Sequence, residues 1–370
     1  MTRSALVSLA AMLSFAAPRT EPRGTRAVRS YRMGFSAIPP RLTIPEVLRT
    51  IDEMGSHADG ALMVVEVPWK ALLGGTSASE LVRRDNLPVA RLFRQRGLPI
   101  VATVELANGL DRRAESEALV ALGRSIAEPA VQRAYREFVV AFDSVVRPEW
   151  LGLAMETNLI RAAANPEVYA AVVTMTNAAA AQLRAAGSRT LLMVSVQVET
   201  AWGRLAGTGG GAFVGVQRDR TDFPFVQVLG LSSYPYLGGF SAPELIPIDY
   251  YARIGRDWAV PMMIVEGGWT SASVPGVTSS AELQARWIRR QMELADEAKL
   301  LGVYQITFTD LDLSSFPVPN GSILPLFARI GLVDASYRAK PALAVWDSVL
   351  ARRTGVRGPG SGDPGTTSGR

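Results

Sequence analysis

The feature that most constrains the fold is an alternation of short apolar runs with longer segments of helical periodicity, from about residue 31 to residue 350. The predicted strands are 31–38, 61–67, 99–106, 150–155, 190–198, 226–233, 261–265 and 301–307. Nearly continuous apolar strands joined by helical crossovers are typical of a parallel sheet covered on both faces. Eight such units favour an α/β fold closed into a (β/α)8 TIM barrel, with an open doubly wound sheet as the alternative.

The segments between the predicted strands carry helix signals. The predicted helices are 43–54, 79–96, 114–146 with an interruption near residue 129, 166–186, 248–256, 281–299 and 341–350. Thr43 is a predicted N-cap with Glu46 as its capping-box partner. Gly187 follows a helix at the position where a left-handed residue is expected. A barrel of this length usually forms one domain, so we expect a single domain over residues 31–351.

The two ends of the chain differ from the barrel in composition. The start is short and positive, and an apolar run with a small-residue ending follows it, which predicts a secretory signal peptide. The predicted organisation is a signal peptide at 1–17, a flexible linker at 18–30, the catalytic barrel at 31–351 and a disordered tail at 352–370. We therefore expect a secreted or periplasmic monomer whose mature chain has no integral membrane segment.

The composition excludes several kinds of chemistry. The chain has no cysteine and a single histidine, His57, which precedes predicted strand two and so lies away from the expected site. Disulfides, thiolate nucleophiles and multi-histidine metal sites are thereby excluded. The net charge of +5 comes from arginines interleaved with acidic residues, so we expect no nucleic-acid partner. No glycine-rich phosphate-binding motif is present, and no cofactor is expected.

Acidic residues collect at the carboxyl ends of the predicted strands, where barrels of this class place their active sites. These residues are Glu66, Glu105, Glu156, Glu199, Glu266, Asp310 and Asp312. Any one of them could be a solvated side chain or a helix cap. Their concentration at a single rim indicates a functional site.

Two of these carboxylates stand out by their surroundings. Glu156 follows an apolar strand, and alternation places it on the same side as Asn158. Glu266 ends an apolar strand and is followed by two glycines and Trp269, which offers a flat apolar face to a sugar ring. Predicted strands four and seven lie across the barrel mouth from each other, as two-carboxylate glycoside cleavage requires. Tyr234, at the end of strand six, could orient Glu266 by a hydrogen bond.

Three segments together resemble the clan A glycoside hydrolases, which are retaining (β/α)8-barrel enzymes, and among them the cellulase- and endo-galactanase-like families. These segments are the strand-four glutamate, the turn at 231–236 and the strand-seven end at 265–268, and the closing run at 331–346 is also similar. The resemblance implies that Glu156 is the acid/base, that Glu266 is the nucleophile and that Tyr234 is the hydrogen-bond partner of the nucleophile. It also implies a carbohydrate substrate and no cofactor.

The sequence departs from the family pattern at three places. Met155 stands where the family usually has asparagine, the 66–69 segment lacks an arginine often found there, and 305–308 lacks a tryptophan. Other polar and aromatic residues near the expected mouth could supply the missing contacts. The predicted substrate-binding residues are Tyr234, Asn158, Tyr236, Trp269, Glu66, Trp69, Gln305 and Asp310.

These observations favour a secreted retaining glycosidase that cleaves a poly- or oligosaccharide by double displacement. Two alternatives stay open. The departures from the family pattern allow a non-catalytic carbohydrate-binding barrel. The many rim acids allow a carboxylate–metal enzyme that holds magnesium or manganese through Glu66, Glu105, Glu156 and Asp310.

Overall fold

The computed structural model describes residues 28–205, 207–318 and 320–355. Eight parallel strands form a closed barrel in sequence order, with β1 paired to both β2 and β8. The strands are β1 Arg32–Ser36, β2 Gly60–Glu66, β3 Ile100–Glu105, β4 Trp150–Gly152, β5 Leu191–Gln197, β6 Val228–Ser233, β7 Met262–Gly267 and β8 Gly302–Gln305. The predicted (β/α)8 barrel is confirmed, and the open-sheet alternative is wrong.

Helices connect the strands and cover the outside of the barrel. They are α1 Ile44–Gly55, α2 Trp69–Leu73, α3 Ala78–Leu81, α4 Leu87–Gln95, α5 Glu117–Val120, α6 Pro129–Val146, α7 Thr157–Ala163, α8 Pro166–Ala185, α9 Val198–Ala201, α10 Gln217–Asp222, α11 Ala252–Asp257, α12 Ala281–Glu297 and α13 Pro341–Leu350. As predicted, Thr43 caps α1 by accepting the N–H of Glu46. Gly187 follows α8 with φ of 80°.

Two predicted helices are divided in the structure. The segment predicted as one helix at 79–96 consists of α3, a π-helical turn at Val82–Asn86, and α4. Pro88 lies in the first turn of α4 and has no N–H to donate to the preceding turn, so a regular helix cannot run through it. The segment predicted at 114–146 contains α5 and α6, and the interruption ends where Pro129 begins α6.

The two strands that carry the predicted site also differ from the prediction. The apolar pattern predicts that β4 reaches residue 155, but the strand ends at Gly152, because the chain turns sharply at Glu156 into α7. The pattern predicts that β7 ends at residue 265, but the strand continues to Gly267. Glu266 therefore lies within a strand, which fixes its backbone by ladder hydrogen bonds.

The barrel interior is filled below the mouth. Its buried cluster consists of Leu62, Val101, Trp150, Met193, Val228, Met263, Val265 and Tyr304. Side chains alternate between the two faces along β2 and β3, so Glu66 and Glu105 point to the same side as Leu62 and Val101. Each glutamate lies four residues nearer to the carboxyl end of its strand. A larger apolar layer packs between the barrel and the helices. Glu66 and Glu105 therefore lie directly above the buried cluster inside the barrel.

The first and last segments that the structure describes, around Arg29 and Thr354, meet beside the barrel. Arg29 forms a parallel bridge with Thr354, is 3 % exposed, and makes an ion pair with Asp59. Residues 28–30 and 352–355, which the sequence assigns to the linker and the tail, therefore lie against the barrel. The predicted signal peptide at 1–17 falls outside the described residues. Among the helices that the structure does describe, none is long and apolar enough to cross a bilayer.

Candidate active site

Three strand ends, those of β3, β4 and β7, bring a cluster of charged side chains together around Arg112, on the loop after β3. The Arg112 Nε donates to Glu156 Oε2 at 2.8 Å, and its Nη1 donates to Glu105 Oε2 at 2.7 Å. The three side chains are between 5 % and 10 % exposed. Glu266 is also near enough for its charge to raise the pKa of Arg112. The two glutamates predicted as a catalytic pair therefore lie in one cluster.

Glu156 is held in an unusual backbone conformation. Its φ is 49°, in the left-handed region that costs a residue with a side chain about 1–2 kcal/mol. The neighbouring groups that impose this turn are all buried. The N–H of Glu156 donates to Ser195 Oγ at 2.9 Å. Asn158 exchanges two hydrogen bonds with the backbone of Gln197. These contacts attach the first turn of α7 to β5, so the direction of the Glu156 side chain is set in advance.

Asp219 adds a second attachment on the other side of this turn. It is 0 % exposed and accepts hydrogen bonds from Thr157 Oγ1 at 2.9 Å and from Arg161 Nη2 at 2.7 Å. Thr157 directly follows Glu156 in the chain. The strained turn is therefore surrounded by fixed partners, as expected for strain that persists at a functional site.

Glu266 has one bonded and one unbonded carboxylate oxygen. Tyr234 Oη donates to Glu266 Oε1 at 2.9 Å, which is the contact predicted from the sequence. Oε2 is covered and makes no hydrogen bond to any described residue. Gly267 is required beside it, because a Cβ there would lie 2.8 Å from the carbonyl oxygen of Ser233. Glu266 Oε2 has no partner among the described residues, but it is covered, so neighbouring groups must move before a ligand can reach it.

One guanidinium serves three carboxylates in this cluster. Burial raises the pKa of Glu266, the charge of Glu156 raises it further, and Arg112 opposes both. Burial also raises the pKa of Glu105 against the effect of Arg112. For Arg112 itself, burial would lower the pKa, but the surrounding carboxylates outweigh it. These surroundings therefore keep Glu266 protonated to a higher pH than an ordinary glutamate.

Three predicted substrate contacts are occupied by other protein groups. Asn158 is 1 % exposed and bonded to Gln197, as described above. Gln305 is also 1 % exposed and donates to Gln291. Asp310 is 2 % exposed and pairs with Lys340. Gln305 Oε1 has no hydrogen-bond partner in the described part of the chain but is buried, so none of the three side chains presents an exposed polar group to a sugar in this conformation.

The predicted aromatic platforms are packed inside the rim. Trp69 and Trp269 are each 1 % exposed, and Tyr236 is 2 % exposed. Trp269 packs against Trp287 and Tyr236 with ring centroids 5.6 and 5.7 Å apart. A sugar ring has no open face to stack on at these positions. The sequence could not show this, because a tryptophan after a strand end can point either into the mouth or under the loops.

Glu66 differs from the other predicted contacts, because it is exposed at the end of β2, beside Glu105 in the strand register. It remains a candidate substrate contact. Within the described residues, no group of three or more acidic residues or histidines is placed to hold a metal ion. Because Glu105 and Glu156 bind Arg112 while Asp310 binds Lys340, the carboxylate–metal alternative loses its ligand set.

The sequence did not indicate Arg112. It lies seven residues after Glu105 in a chain rich in arginine, and its role depends on the path of the 106–116 loop. Asn108 shapes that loop by accepting the N–H groups of Leu110 and Asp111. An asparagine followed by a glycine does predict a turn, but it does not predict where the arginine points.

Comparison with known proteins identifies the fold. No family model matches the sequence, and no curated protein matches it by sequence. Solved structures do match. An exo-β-1,4-mannosidase from Opitutaceae bacterium strain TAV5 matches with a TM-score of 0.63 and 16 % identity, over 90 % of this chain and 62 % of that one. The chain shares its barrel with glycoside hydrolases.

Two further structures support this conclusion. A GH5_18 protein from Streptomyces cattleya, solved with GlcNAc, has a TM-score of 0.61 and 18 % identity, over 88 % of this chain and 81 % of that one. Xylanase 10B from Thermotoga maritima has a TM-score of 0.58 and 14 % identity, over 87 % of this chain and 95 % of that one. At these identities the likeness establishes the fold, and the chain is a divergent example of it.

Proposed function

We propose that this protein is a retaining glycoside hydrolase in which Glu156 is the acid/base and Glu266 is the nucleophile. The observation that carries the proposal is the hydrogen bond from Tyr234 Oη to Glu266 Oε1 at 2.9 Å, with Oε2 left unbonded and Glu156 close enough to raise the Glu266 pKa. The barrel shared with a mannosidase and a xylanase agrees with a carbohydrate substrate.

The proposed reaction has two steps. Glu156 first gives a proton to the glycosidic oxygen while Glu266 Oε2 attacks the anomeric carbon, so the leaving group departs as an alcohol and a glycosyl ester forms. Glu156, now ionised, then takes a proton from water as that water attacks the anomeric carbon and releases Glu266. Both displacements invert, so the configuration is retained. Retention requires the two carboxyl groups to be about 5–5.5 Å apart.

The charges around the pair place a condition on this reaction. Attack requires an ionised Glu266, yet burial and the charge of Glu156 raise its pKa. We therefore expect the acidic limb of the kcat/KM profile to lie above the pH at which an unperturbed glutamate ionises. Arg112, placed between Glu105 and Glu156, must shift from Glu156 before that group can protonate the substrate.

The decisive experiment is replacement of the proposed nucleophile. Glu266→Ala should lower turnover of an aryl glycoside by roughly four orders of magnitude or more, because no covalent intermediate can form. Added azide should then restore turnover and yield a glycosyl azide of inverted configuration. Asp143→Asn is the matched control, because Asp143 is a buried carboxylate at the opposite end of the barrel, bonded to Thr190. A fully active Glu266→Ala protein would exclude this mechanism.

The same proposal includes export and a monomeric state. It rests on the predicted signal peptide at 1–17 and on the single-domain barrel. Sequencing the N-terminus of the protein recovered from its source should find a start after residue 17, and light scattering should give the mass of one chain. A mature protein that retains Met1 would contradict the export part alone.

The low exposure of Glu156, the proposed acid/base, favours a second candidate, a carbohydrate-binding barrel without turnover. Glu156 is 6 % exposed and bonded to Arg112, and Met155 stands in place of the usual asparagine. Calorimetry with oligosaccharides, followed by long incubation and detection of reducing ends, separates the two candidates. Binding without product would favour the second one.

A further inference from the structure

A second buried carboxylate lies directly behind Tyr234. Glu199, in the short helix α9 after β5, is 0 % exposed. Its Oε2 accepts the backbone N–H of Tyr234 at 3.0 Å and the side-chain amide of Gln197. Its Oε1 accepts the hydroxyl of Ser233 at 3.1 Å and the hydroxyl of Tyr250 at 2.9 Å. Four donors thus converge on one carboxylate.

No cation is paired with this carboxylate among the described residues. The titratable groups that face it are Tyr234, Tyr236, Tyr250, Tyr251 and Arg204. Arg204 makes no hydrogen bond to the carboxylate: its backbone N–H donates to the main-chain carbonyl of Glu199, and its guanidinium donates to Gly238 O. Burying a carboxylate without an ion pair costs several kcal/mol, on the order of the whole net stability of a small domain. A neutral side chain would avoid that cost, so a role beyond folding is indicated.

The carboxylate makes two hydrogen bonds at the end of β6, just after the β6–β7 register shifts between Leu231 and Ser232. The same segment has other supports: the Ser233 carbonyl accepts the N–H of Gly268, the Ser233 hydroxyl contacts Tyr251 Oη, and the Tyr234 ring packs on Phe327. Glu199 supplies the acceptor for the backbone N–H of Tyr234.

We propose that Glu199 is a positioning residue that fixes the backbone of Tyr234 and thereby aims the Tyr234 hydroxyl at Glu266. The connection runs from Glu199 Oε2 to the Tyr234 N–H, and from the Tyr234 Oη to Glu266 Oε1. This inference rests on the proposed role of Glu266. Glu199 itself does not touch the reacting atoms.

β5, which leads directly into α9, also positions the other half of the pair. Ser195 accepts the N–H of Glu156, and Gln197 holds Asn158 through its backbone and Glu199 through its amide. Ser195, Gln197 and Glu199 stand at alternate positions along the chain. β5 is therefore the common reference for both glutamates, and Glu199 is its link to Glu266.

The test is a double-mutant cycle between Glu199→Leu and Tyr234→Phe. Leucine fills the space but cannot accept the Tyr234 N–H. Glu199→Gln is the conservative rescue, because glutamine keeps a carbonyl for that N–H and the Ser233 and Tyr250 hydroxyls can turn to accept from its amide. On an aryl glycoside, Glu199→Leu should lower kcat roughly ten-fold with little change in KM, because a misplaced group affects the chemical step, and Glu199→Gln should restore most of the lost activity. In the Tyr234→Phe background, Glu199→Leu should lower kcat by about two-fold or less, because the hydrogen bond from Tyr234 to Glu266 is already absent.

The titration of Glu266 provides a readout that needs no turnover. The Tyr234 hydrogen bond lowers the pKa of Glu266, so loosening it should raise that pKa. Carbon-13 NMR of labelled glutamate carboxyl groups should show an upward shift of the Glu266 pKa in Tyr234→Phe, a smaller upward shift in Glu199→Leu, and none in the control Asp143→Asn.

The outcomes separate the two proposals. If the wild-type protein hydrolyses no glycoside, the proposed function fails, and the NMR titration still decides whether Glu199 acts on Glu266. An unchanged Glu266 titration in Glu199→Leu, or fully additive effects in the double variant, would overturn the positioning role.

Discussion

Two groups of buried carboxylates lie side by side at the mouth of this barrel, and they are stabilised in different ways. Glu105 and Glu156 share the cation of Arg112 and remain slightly exposed. Glu199 is fully buried and is surrounded by four neutral donors. The first arrangement depends on the shared charge of Arg112. The second depends on the geometry of four hydrogen bonds and holds its neighbours in place. This contrast agrees with our proposal that the first group reacts and the second supports it.

The largest effect should come from removing the shared cation. Arg112→Met leaves two buried carboxylates without their partner, and the free energy of unfolding at neutral pH should fall by about 3–5 kcal/mol. Because Arg112 lowers the pKa of Glu266, its loss should also move the acidic limb of kcat/KM to higher pH. Chemical denaturation and pH–rate profiles measure the two effects. Arg113→Met is the matched control, because Arg113 is the exposed neighbour with a side chain 75 % accessible, and it should change little.

The next effect tests the neutral surroundings of Glu199. Burial raises the pKa of Glu199 from its ordinary value of 4.5 to about 7, so its contribution to stability is full below the unfolded pKa and is lost as the pH rises through about 7. Glutamine does not titrate. The free energy of unfolding of Glu199→Gln, minus that of wild type, should therefore rise by on the order of 2 kcal/mol from about pH 5 to about pH 8.5. A constant difference across that range would show that Glu199 carries no perturbed titration.

The smallest effect separates the two carboxylates that flank Arg112. The charge of Glu105 raises the pKa of Glu266, so Glu105→Gln should move the acidic limb of kcat/KM to lower pH, by about one unit or less. This shift is opposite in sign to that of Arg112→Met. Shifts of the same sign in both variants would mean that Glu266 does not set that limb.

The sequence predicts the barrel and the positions of its carboxylates for a simple physical reason. Apolar alternation and strand-end acids are local patterns, so the sequence alone is enough to place Glu156, Glu266 and Tyr234 at strand ends around one mouth. The contacts of these three residues agree with that placement. The buried state of Trp69 and Trp269 depends instead on long-range packing beneath loops, and no local pattern reports it.

Arg112 and Glu199 illustrate the same limit. Arg112 acts through the path of a loop, and Glu199 acts through contacts with residues more than thirty positions away. The strand-end pattern marks Glu199 as one rim acid among several and does not distinguish it from the others. Its role depends on the hydrogen-bond donors that surround it in three dimensions. Most of those donors are far from Glu199 in the sequence, so no local pattern reveals them.

The attachment of both glutamates to β5 has a practical consequence for redesign. If one strand positions both reactive groups, loops that contact neither group nor Tyr234 can be replaced without changing the spacing of the pair. The loop that carries Arg112 and the segment after β8 that carries Phe327 do not meet this condition. Substrate preference could therefore be altered by exchanging the loops that follow β1 or β2, while residues 195–199 are left untouched. A library built on that rule should retain folded, chemically competent members far more often than one that randomises the fifth strand.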